Sequence, residues 1–229
     1  MRHGGDGLAQ VLLGFERFLV EKSLVPDNER PHLVRWVRDF LLFAREHGGY
    51  TFEQTLDLFL EETITLMVYG TLKRGQWNHD RFCRNAIDIR PATIIGRLYE
   101  LPAGYPAVVI PEESILAHGT DDPVVDARVQ AGFAGHGVTM PEVEGDQPSS
   151  YDSGATGWDV VHGELITFAD PARDLPPIDR LEGCRPDGRG LYRRALVAVR
   201  ANTGVELAWV YHMARVGYGR RVEGGCWLG

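Results

Sequence analysis

Cysteine is scarce in this sequence, and long apolar runs are missing. The three cysteines form no Cys-x-x-Cys pair, so a disulfide framework is not expected. No apolar stretch approaches the roughly 20 residues that a membrane-spanning helix needs. Residues 1–13 also lack the small-residue cleavage site of a secretion signal. These absences predict a cytoplasmic protein, in a reducing compartment, that does not insert into membranes.

Basic residues are also under-represented. Lysine and arginine number 24 against 32 aspartates and glutamates, which gives a net charge of −8. A negative chain repels phosphate backbones, so nucleic-acid binding is not expected. The eight histidines show no metal-ligand spacing, so no metal site is predicted. With 44% hydrophobic residues, the 229 residues can bury the core of one domain, with or without a small extra module.

Helical periodicity dominates the first part of the chain. Apolar residues recur at i, i+3 and i+4 over residues 8–19 and again over 33–44. Thr51 and Gln54 have the spacing of a capping box, which predicts the start of a third helix. The pattern therefore predicts a three-helix module over residues 1–64. Its seven basic and eleven acidic residues leave it negatively charged.

From residue 65 onward the sequence is typical of β structure. A short helix is expected at 174–181, and the tail 216–229 is expected to be irregular. Residues 117–159 are rich in Gly, Asp, Ser and Pro, which predicts a long inserted surface loop. The predicted fold is α+β, a mixed β-barrel or curled sheet with flanking helices. Six strands are predicted, at residues 66–69, 92–101, 105–110, 160–168, 192–199 and 205–213.

The first segment that could carry chemistry is the turn Tyr69-Gly70-Thr71-Leu72, at the end of the first predicted strand. Such a turn can direct successive backbone N–H groups at one point, forming a cradle for an anion or oxyanion. The alternative is a plain turn in which Gly70 supplies an unusual φ angle. The spacing of a nucleotide-binding P-loop is absent.

The second segment is Leu181-Glu182-Gly183, at the end of a predicted helix. If Glu182 is half-buried in a cleft, burial raises its pKa and makes it a proton acceptor near neutral pH. The alternative is a solvated glutamate before a turn. Downstream, Tyr192 and Tyr211 either line a pocket or are core aromatics. Cys83 and Cys184 have no evident histidine partner that would make them nucleophiles.

Taken together, these segments resemble the γ-glutamylcyclotransferase-like family, which includes γ-glutamylamine cyclotransferases and AIG2-like proteins. The resemblance covers residues 65–215, and the order and spacing of its short motifs make it specific. The matching residues are Tyr69-Gly70-Thr71-Leu72-Lys73-Arg74-Gly75 with Asn78-His79, Arg97-Leu98-Tyr99, Tyr105-Pro106-Ala107, Leu181-Glu182-Gly183-Cys184, Tyr192-Arg193-Arg194 and Ala208-Trp209-Val210-Tyr211.

The resemblance implies a β-barrel-like cyclotransferase domain over residues 65–229. It further implies an enzyme that releases 5-oxoproline from γ-glutamylamines or related γ-glutamyl compounds, without metal or cofactor. The substrate's α-amine attacks its own γ-carbonyl, and Glu182 is the general acid and base. The implied substrate-binding residues are Tyr69, Gly70, Thr71, Leu72, Tyr105, Tyr192 and Tyr211.

The helical module has a resemblance of its own. Residues 18–25 and 31–41 resemble the SAM-like core-binding module of phage integrases and tyrosine recombinases. No recombinase catalytic domain follows, so recombination is not implied. The alternative to an enzyme is a non-catalytic protein of the same fold, whose pocket holds a small ligand while the helical module recruits DNA or a protein.

Overall fold

The computed structural model describes residues 5–27, 30–133, 139–140, 157–185 and 187–229. Three helices precede the first strand, as predicted, and they are α1 (Gly5–Lys22), α2 (Arg30–Glu46) and α3 (Phe52–Glu61). The capping box of α3 is formed reciprocally. Gln54 N donates to Thr51 Oγ1 over 3.2 Å, and Thr51 N donates to Gln54 Oε1 over 3.0 Å.

Aromatic rings hold the helical module together. Phe40 and Phe59 are almost fully buried, and Trp36 stacks on Phe40 with ring centroids 5.6 Å apart. The module also contacts the rest of the chain, because the Arg35 guanidinium donates to the carbonyl oxygen of Ala86. Within the described ranges, every helix is too short or too polar to span a membrane.

The second part of the chain is built around a closed barrel of five strands. The barrel strands are β1 (Ile64–Val68), β2 (Asp88–Glu100), β5 (Asp159–Phe168), β6 (Arg193–Ala201) and β7 (Gly204–His212). In the order β2-β5-β1-β7-β6 each strand pairs with the next, and β6 pairs with β2 to close the barrel. Only the β1–β7 pairing is parallel within this ring.

Short elements flank the barrel. They are α4 (His79–Phe82), β3 (Pro106–Val109), β4 (Ala117–His118), α5 (Pro123–Phe133), α6 (Pro171–Glu182) and β8 (Arg220–Arg221), with 3₁₀ turns at Glu112–Ser114 and Glu223–Gly225. Strands β3 and β8 pair with β2, and β4 pairs with β6. All six predicted strands are present, and the α+β barrel prediction is confirmed.

Strand β1 is buried on both faces, which explains its continuous apolar sequence. Leu66 packs in a cluster with Leu175 of α6, whereas Met67 packs in a second cluster with Leu165 of the neighbouring strand. The strand therefore lies between the barrel interior and the helices outside it.

The prediction of a loop over residues 117–159 is wrong for the first part of this range. Residues 117–118 form β4, and residues 123–133 form α5. Helix α5 buries Asp126 and Ala127 completely, and an acidic residue at a core position obscures the apolar stripe by which a helix is recognised. Asp159 already belongs to β5. Residues 134–138 and 141–156 lie outside the described residues.

The predicted irregular tail, residues 216–229, is also corrected. It contributes β8 to the sheet and a 3₁₀ turn, and it buries Trp227 to 3% exposure. These contacts are with residues far away in the sequence, so local periodicity does not reveal them.

The buried His212 at the end of β7 predicts acid sensitivity. The side chain is buried, and burial lowers its pKa from 6.5 to about 4. Protonation of the imidazole therefore favours the unfolded chain. The stability that neutral His212 contributes is fully present above pH 6.5 and is lost as the pH falls through about 4. The full shift corresponds to about 3 kcal/mol of the free energy of unfolding.

We expect His212→Gln to lose less stability than the wild type between pH 7.5 and pH 4.5, measured by urea denaturation. His162→Gln, at an exposed position of β5, is the matched control and should follow the wild type. An identical pH dependence in His212→Gln and the wild type would contradict the assignment.

Candidate active site

A cavity of about 280 Å³ opens where β1 ends and α6 ends. All eight residues that the sequence predicts for the site line this cavity: Tyr69, Gly70, Thr71, Leu72, Tyr105, Glu182, Tyr192 and Tyr211. The structure thus brings together two segments that are more than a hundred residues apart in the sequence. The other lining residues are Met67, Val68, Trp77, Asn78, Pro106, Leu181 and Leu191.

A glycine is required at position 70 because the turn lies very close to Pro106. A Cβ atom at this position would lie 2.5 Å from Cγ of Pro106, closer than carbon atoms can come. Its φ angle lies outside the left-handed region, so the alternative interpretation of a turn with an unusual φ is wrong. The absence of a side chain at Gly70 lets the turn pack against the strand that begins at Pro106.

The carbonyl groups of the turn accept hydrogen bonds from residues that follow it in the chain, whereas its N–H groups have no acceptor among the described residues. Gly70 O accepts a hydrogen bond from Lys73 N over 3.1 Å, and Thr71 O accepts one from Asn78 N over 3.2 Å. Asn78 Nδ2 also donates to Thr71 Oγ1 over 3.0 Å. The N–H groups of Gly70, Thr71 and Leu72 donate to no residue in the described part of the chain. Backbone N–H groups in folded proteins are nearly always paired, so these three are available to a ligand or water as acceptor.

Three tyrosines form a wall of the cavity, and their hydroxyl groups are bonded to the protein. Tyr69 OH donates to Tyr211 O, Tyr192 OH donates to Pro106 O, and Tyr211 OH donates to Asp179 Oδ1, each over 2.7 Å. Burial raises the pKa of all three phenols. Tyr192 and Tyr211 are therefore both core residues and lining residues, and their neutral hydroxyls fix the shape of the wall.

The capping of α6 determines where Glu182 lies. The Asp170 side chain accepts a hydrogen bond from Arg173 N at the start of the helix, over 3.0 Å. Gly183 ends the helix in the left-handed conformation, with φ of 59°. Its carbonyl then accepts a hydrogen bond from Leu191 N over 2.9 Å. Glu182 is the last helical residue, and it lines the cavity at this terminus.

The carboxyl group of Glu182 is partly buried and titrates near neutral pH. Burial raises its pKa from 4.5 to about 7, and the nearby Asp179 carboxylate adds to the rise. Within the described part of the chain, no residue forms a hydrogen bond with this carboxyl group. A carboxyl group with this pKa can both accept and return a proton at neutral pH.

Asp179 belongs to a buried network that the sequence did not indicate. The Arg194 guanidinium pairs with Asp126 of α5 and with Asp179 of α6, and it donates to Thr120 O over 3.0 Å. The same Asp179 oxygen accepts the Tyr211 hydroxyl. Arg194 and Asp126 are almost completely buried, so the network fixes α5 and α6 against the barrel beside the cavity.

The tail contacts Lys73 and Trp77, and Trp77 lines the cavity. Lys73 Nζ donates to Trp227 O over 2.7 Å. The rings of Trp77 and Trp227 meet edge to face, with centroids 5.8 Å apart and an interplanar angle of 80°. Trp77 is thereby supported at the entrance of the cavity. Neither tryptophan was predicted as a site residue, because no motif includes them.

The described residues form no cluster of metal ligands, and the thiols of Cys83 and Cys184 are not activated. No group of three or more His, Cys, Asp or Glu side chains occurs there that could hold a metal ion. Burial raises the pKa of Cys83 to about 12 and also raises the pKa of Cys184, so both remain thiols at neutral pH. Among the lining residues of the cavity, Glu182 is the one with a carboxyl group.

The fold and the cavity can be compared with known proteins. Residues 66–131 and 135–229 match the family described as gamma-glutamyl cyclotransferase, AIG2-like, and the chain belongs to that family. No curated protein sequence matches this chain significantly.

Several solved structures are similar to this chain at low sequence identity. YkqA from Bacillus subtilis is 19% identical, with a TM-score of 0.41, and the match covers 72% of this chain and 39% of YkqA. An uncharacterized protein from Pyrococcus horikoshii is 16% identical, with a TM-score of 0.39 and coverage of 71% and 88%. An AIG2-like protein from Mus musculus is 15% identical, with a TM-score of 0.35 and coverage of 68% and 81%.

Proposed function

We propose that this protein is a γ-glutamyl cyclotransferase that releases 5-oxoproline from γ-glutamylamines or related γ-glutamyl amides. One observation carries the proposal. Glu182, whose pKa is about 7, lines the same cavity as residues 70–72, whose N–H groups have no acceptor in the described part of the chain. The family membership supports the same class of chemistry.

The reaction rearranges bonds within one substrate molecule. The α-amine nitrogen forms a bond to the γ-carbonyl carbon, and the bond from that carbon to the attached amine breaks. The nucleophile and the carbonyl belong to one molecule and close a five-membered ring, so little translational entropy is lost. The products are 5-oxoproline and a free amine, and no water is consumed.

Glu182 would move the proton that this reaction transfers. An α-amine has a pKa of roughly 8, so much of it is protonated at neutral pH and cannot attack. The Glu182 carboxylate accepts a proton from the α-amine as the nitrogen attacks, and the resulting acid protonates the departing amine. A pKa of about 7 suits both steps, because neither protonation state is strongly favoured.

The turn at residues 70–72 would stabilise the negative charge that forms on the γ-carbonyl oxygen. Backbone N–H groups held in place before the reaction are effective at this task, because they need no reorganisation as charge develops. The hydrogen bonds of Gly70 O and Thr71 O hold this turn. The partly buried carboxyl group and these donors favour an enzyme over a non-catalytic binding protein, in which Glu182 would be a solvated side chain.

The direct test is to incubate the full-length protein with a panel of γ-glutamylamines and γ-glutamyl amino acids. Both 5-oxoproline and the free amine are quantified by mass spectrometry. We expect the two products in equal amounts from at least one compound. Binding of γ-glutamyl compounds without product release would favour the ligand-binding alternative.

Gly70→Ala is expected to lower kcat strongly. The added methyl group would collide with Pro106, so the turn must shift and its N–H groups must turn away from the carbonyl oxygen. The loss of one such donor costs roughly 10²–10³ in rate. The measurement is kcat for 5-oxoproline release.

Gly14→Ala, in α1, is the matched control, because no atom lies within 4 Å of the added Cβ there. Circular dichroism establishes whether each variant is folded. If folded Gly70→Ala cyclises substrate at the wild-type rate, the turn does not hold the oxyanion.

A further inference from the structure

The entrance of the active-site cavity is apolar. Three of its lining residues are exposed by more than a third, namely Trp77 at 65%, Leu191 at 49% and Leu181 at 37%. The remaining lining residues are buried or only partly exposed. A substrate that enters the cavity therefore passes between three apolar side chains.

Packing against the tail holds Trp77 in place at this entrance. Its ring packs edge to face on Trp227, which is 3% exposed. The backbone of Trp227 is bonded to Lys73, in the same turn that carries the unpaired N–H groups. A large aromatic surface is thus held at the cavity entrance, in contact with solvent, where it can cover a bound ligand.

The charges around the entrance do not favour a cation. Among the lining residues, Glu182 alone has a side chain that titrates near neutral pH, and the proposed reaction uses its carboxylate for proton transfer. A neighbouring depression shares Leu181 with the cavity and is also lined by Arg81, Arg84 and Arg180. Within the described ranges, no acidic side chain forms an ion pair with these three arginines. They leave positive charge beside the entrance.

The proposed function fixes which end of the substrate meets this entrance. The γ-glutamyl group must reach Glu182 and the turn at residues 70–72, so the attached amine extends towards the entrance. On the basis of that function, we propose that the substrates are γ-glutamyl amides of amines whose attached group is apolar and carries no further charge, selected by Trp77, Leu181 and Leu191. An ammonium group at the far end of the amine would lose water against apolar side chains near three arginines.

A pair of substrates of equal length tests this selection. The γ-glutamyl amide of n-pentylamine and that of putrescine differ only at the end of the chain, where a methyl group replaces an ammonium group. We expect kcat/KM to be roughly 10- to 100-fold higher for the pentylamine derivative, the range that one apolar contact region can discriminate. The difference should lie mainly in KM, because the reacting atoms are the same.

Trp77→Ala should reduce this preference about tenfold. Tyr218→Ala is the matched control, since Tyr218 is an aromatic residue with 87% exposure that does not line the cavity. Leu191→Ser provides a second variant should Trp77→Ala disturb the tail. Preservation of the wild-type preference in both folded variants would overturn the assignment of these residues.

The outcomes separate this inference from the proposed function. Release of 5-oxoproline from both compounds with equal kcat/KM, or a preference for the putrescine derivative, would overturn the inference and support the cyclotransferase. Release from neither compound, nor from any member of the wider panel, would overturn both.

Discussion

Glu182→Gln is expected to slow 5-oxoproline release by roughly 10²–10⁴, the usual contribution of general acid–base catalysis. Glutamine keeps the size and polarity of the side chain but cannot accept the proton of the α-amine. The measurement is kcat and kcat/KM on a substrate that the wild type cyclises. Glu113→Gln, at an exposed position outside the cavity, is the matched control and should retain full activity.

The pH dependence provides an independent readout of the same assignment. The wild type needs an ionised Glu182, so kcat/KM should fall as the pH decreases below about 7. Protonation of the substrate α-amine, with a pKa of roughly 8, lowers kcat/KM in both enzymes, so Glu182→Gln should lack only the additional decrease below about 7. A folded variant with wild-type activity, or a wild-type profile without this additional decrease, would exclude Glu182 as the base.

Arg194→Met is expected to lower the free energy of unfolding by about 3–5 kcal/mol, the cost of leaving a buried charge without its partner. Asp126 has no exposed surface and pairs directly with Arg194. Asp179 also loses its cation. Chemical denaturation at neutral pH measures the change.

Arg200→Met provides the control on the same strand. Arg200 is exposed, and its substitution should change stability by less than about 0.5 kcal/mol. Adding Asp126→Asn to Arg194→Met removes the orphaned charge, so the double variant should lose less than the sum of the single losses. Strict additivity of the two losses would contradict a coupled network.

The barrel and the main site residues could be predicted because their signals are local. Strand β1 is a continuous apolar run, and Glu182 lies in a short motif between Leu181 and Gly183. The resemblance to the γ-glutamylcyclotransferase-like family, which rests on these motifs, implied that Gly70 and Glu182 belong to one site.

The features that the sequence missed depend on distant partners. Arg194 pairs with Asp126, 68 residues away, and this acidic residue hides the helix that carries it. Trp227 meets Trp77 across 150 positions, within a tail that has no periodic pattern. Neither contact leaves a signature in any short window of sequence, so only the folded chain reveals them.

The cavity separates into a buried floor and an exposed entrance, and the two parts tolerate change differently. The floor includes the backbone of residues 70–72 and tyrosines bonded into the core, so most substitutions there disturb the barrel. Trp77, Leu181 and Leu191 extend into solvent, where exchange of a side chain costs little stability. Variation at the entrance can therefore alter which molecules the cavity admits while the floor stays the same, so a barrel of this kind can acquire new ligands by single substitutions.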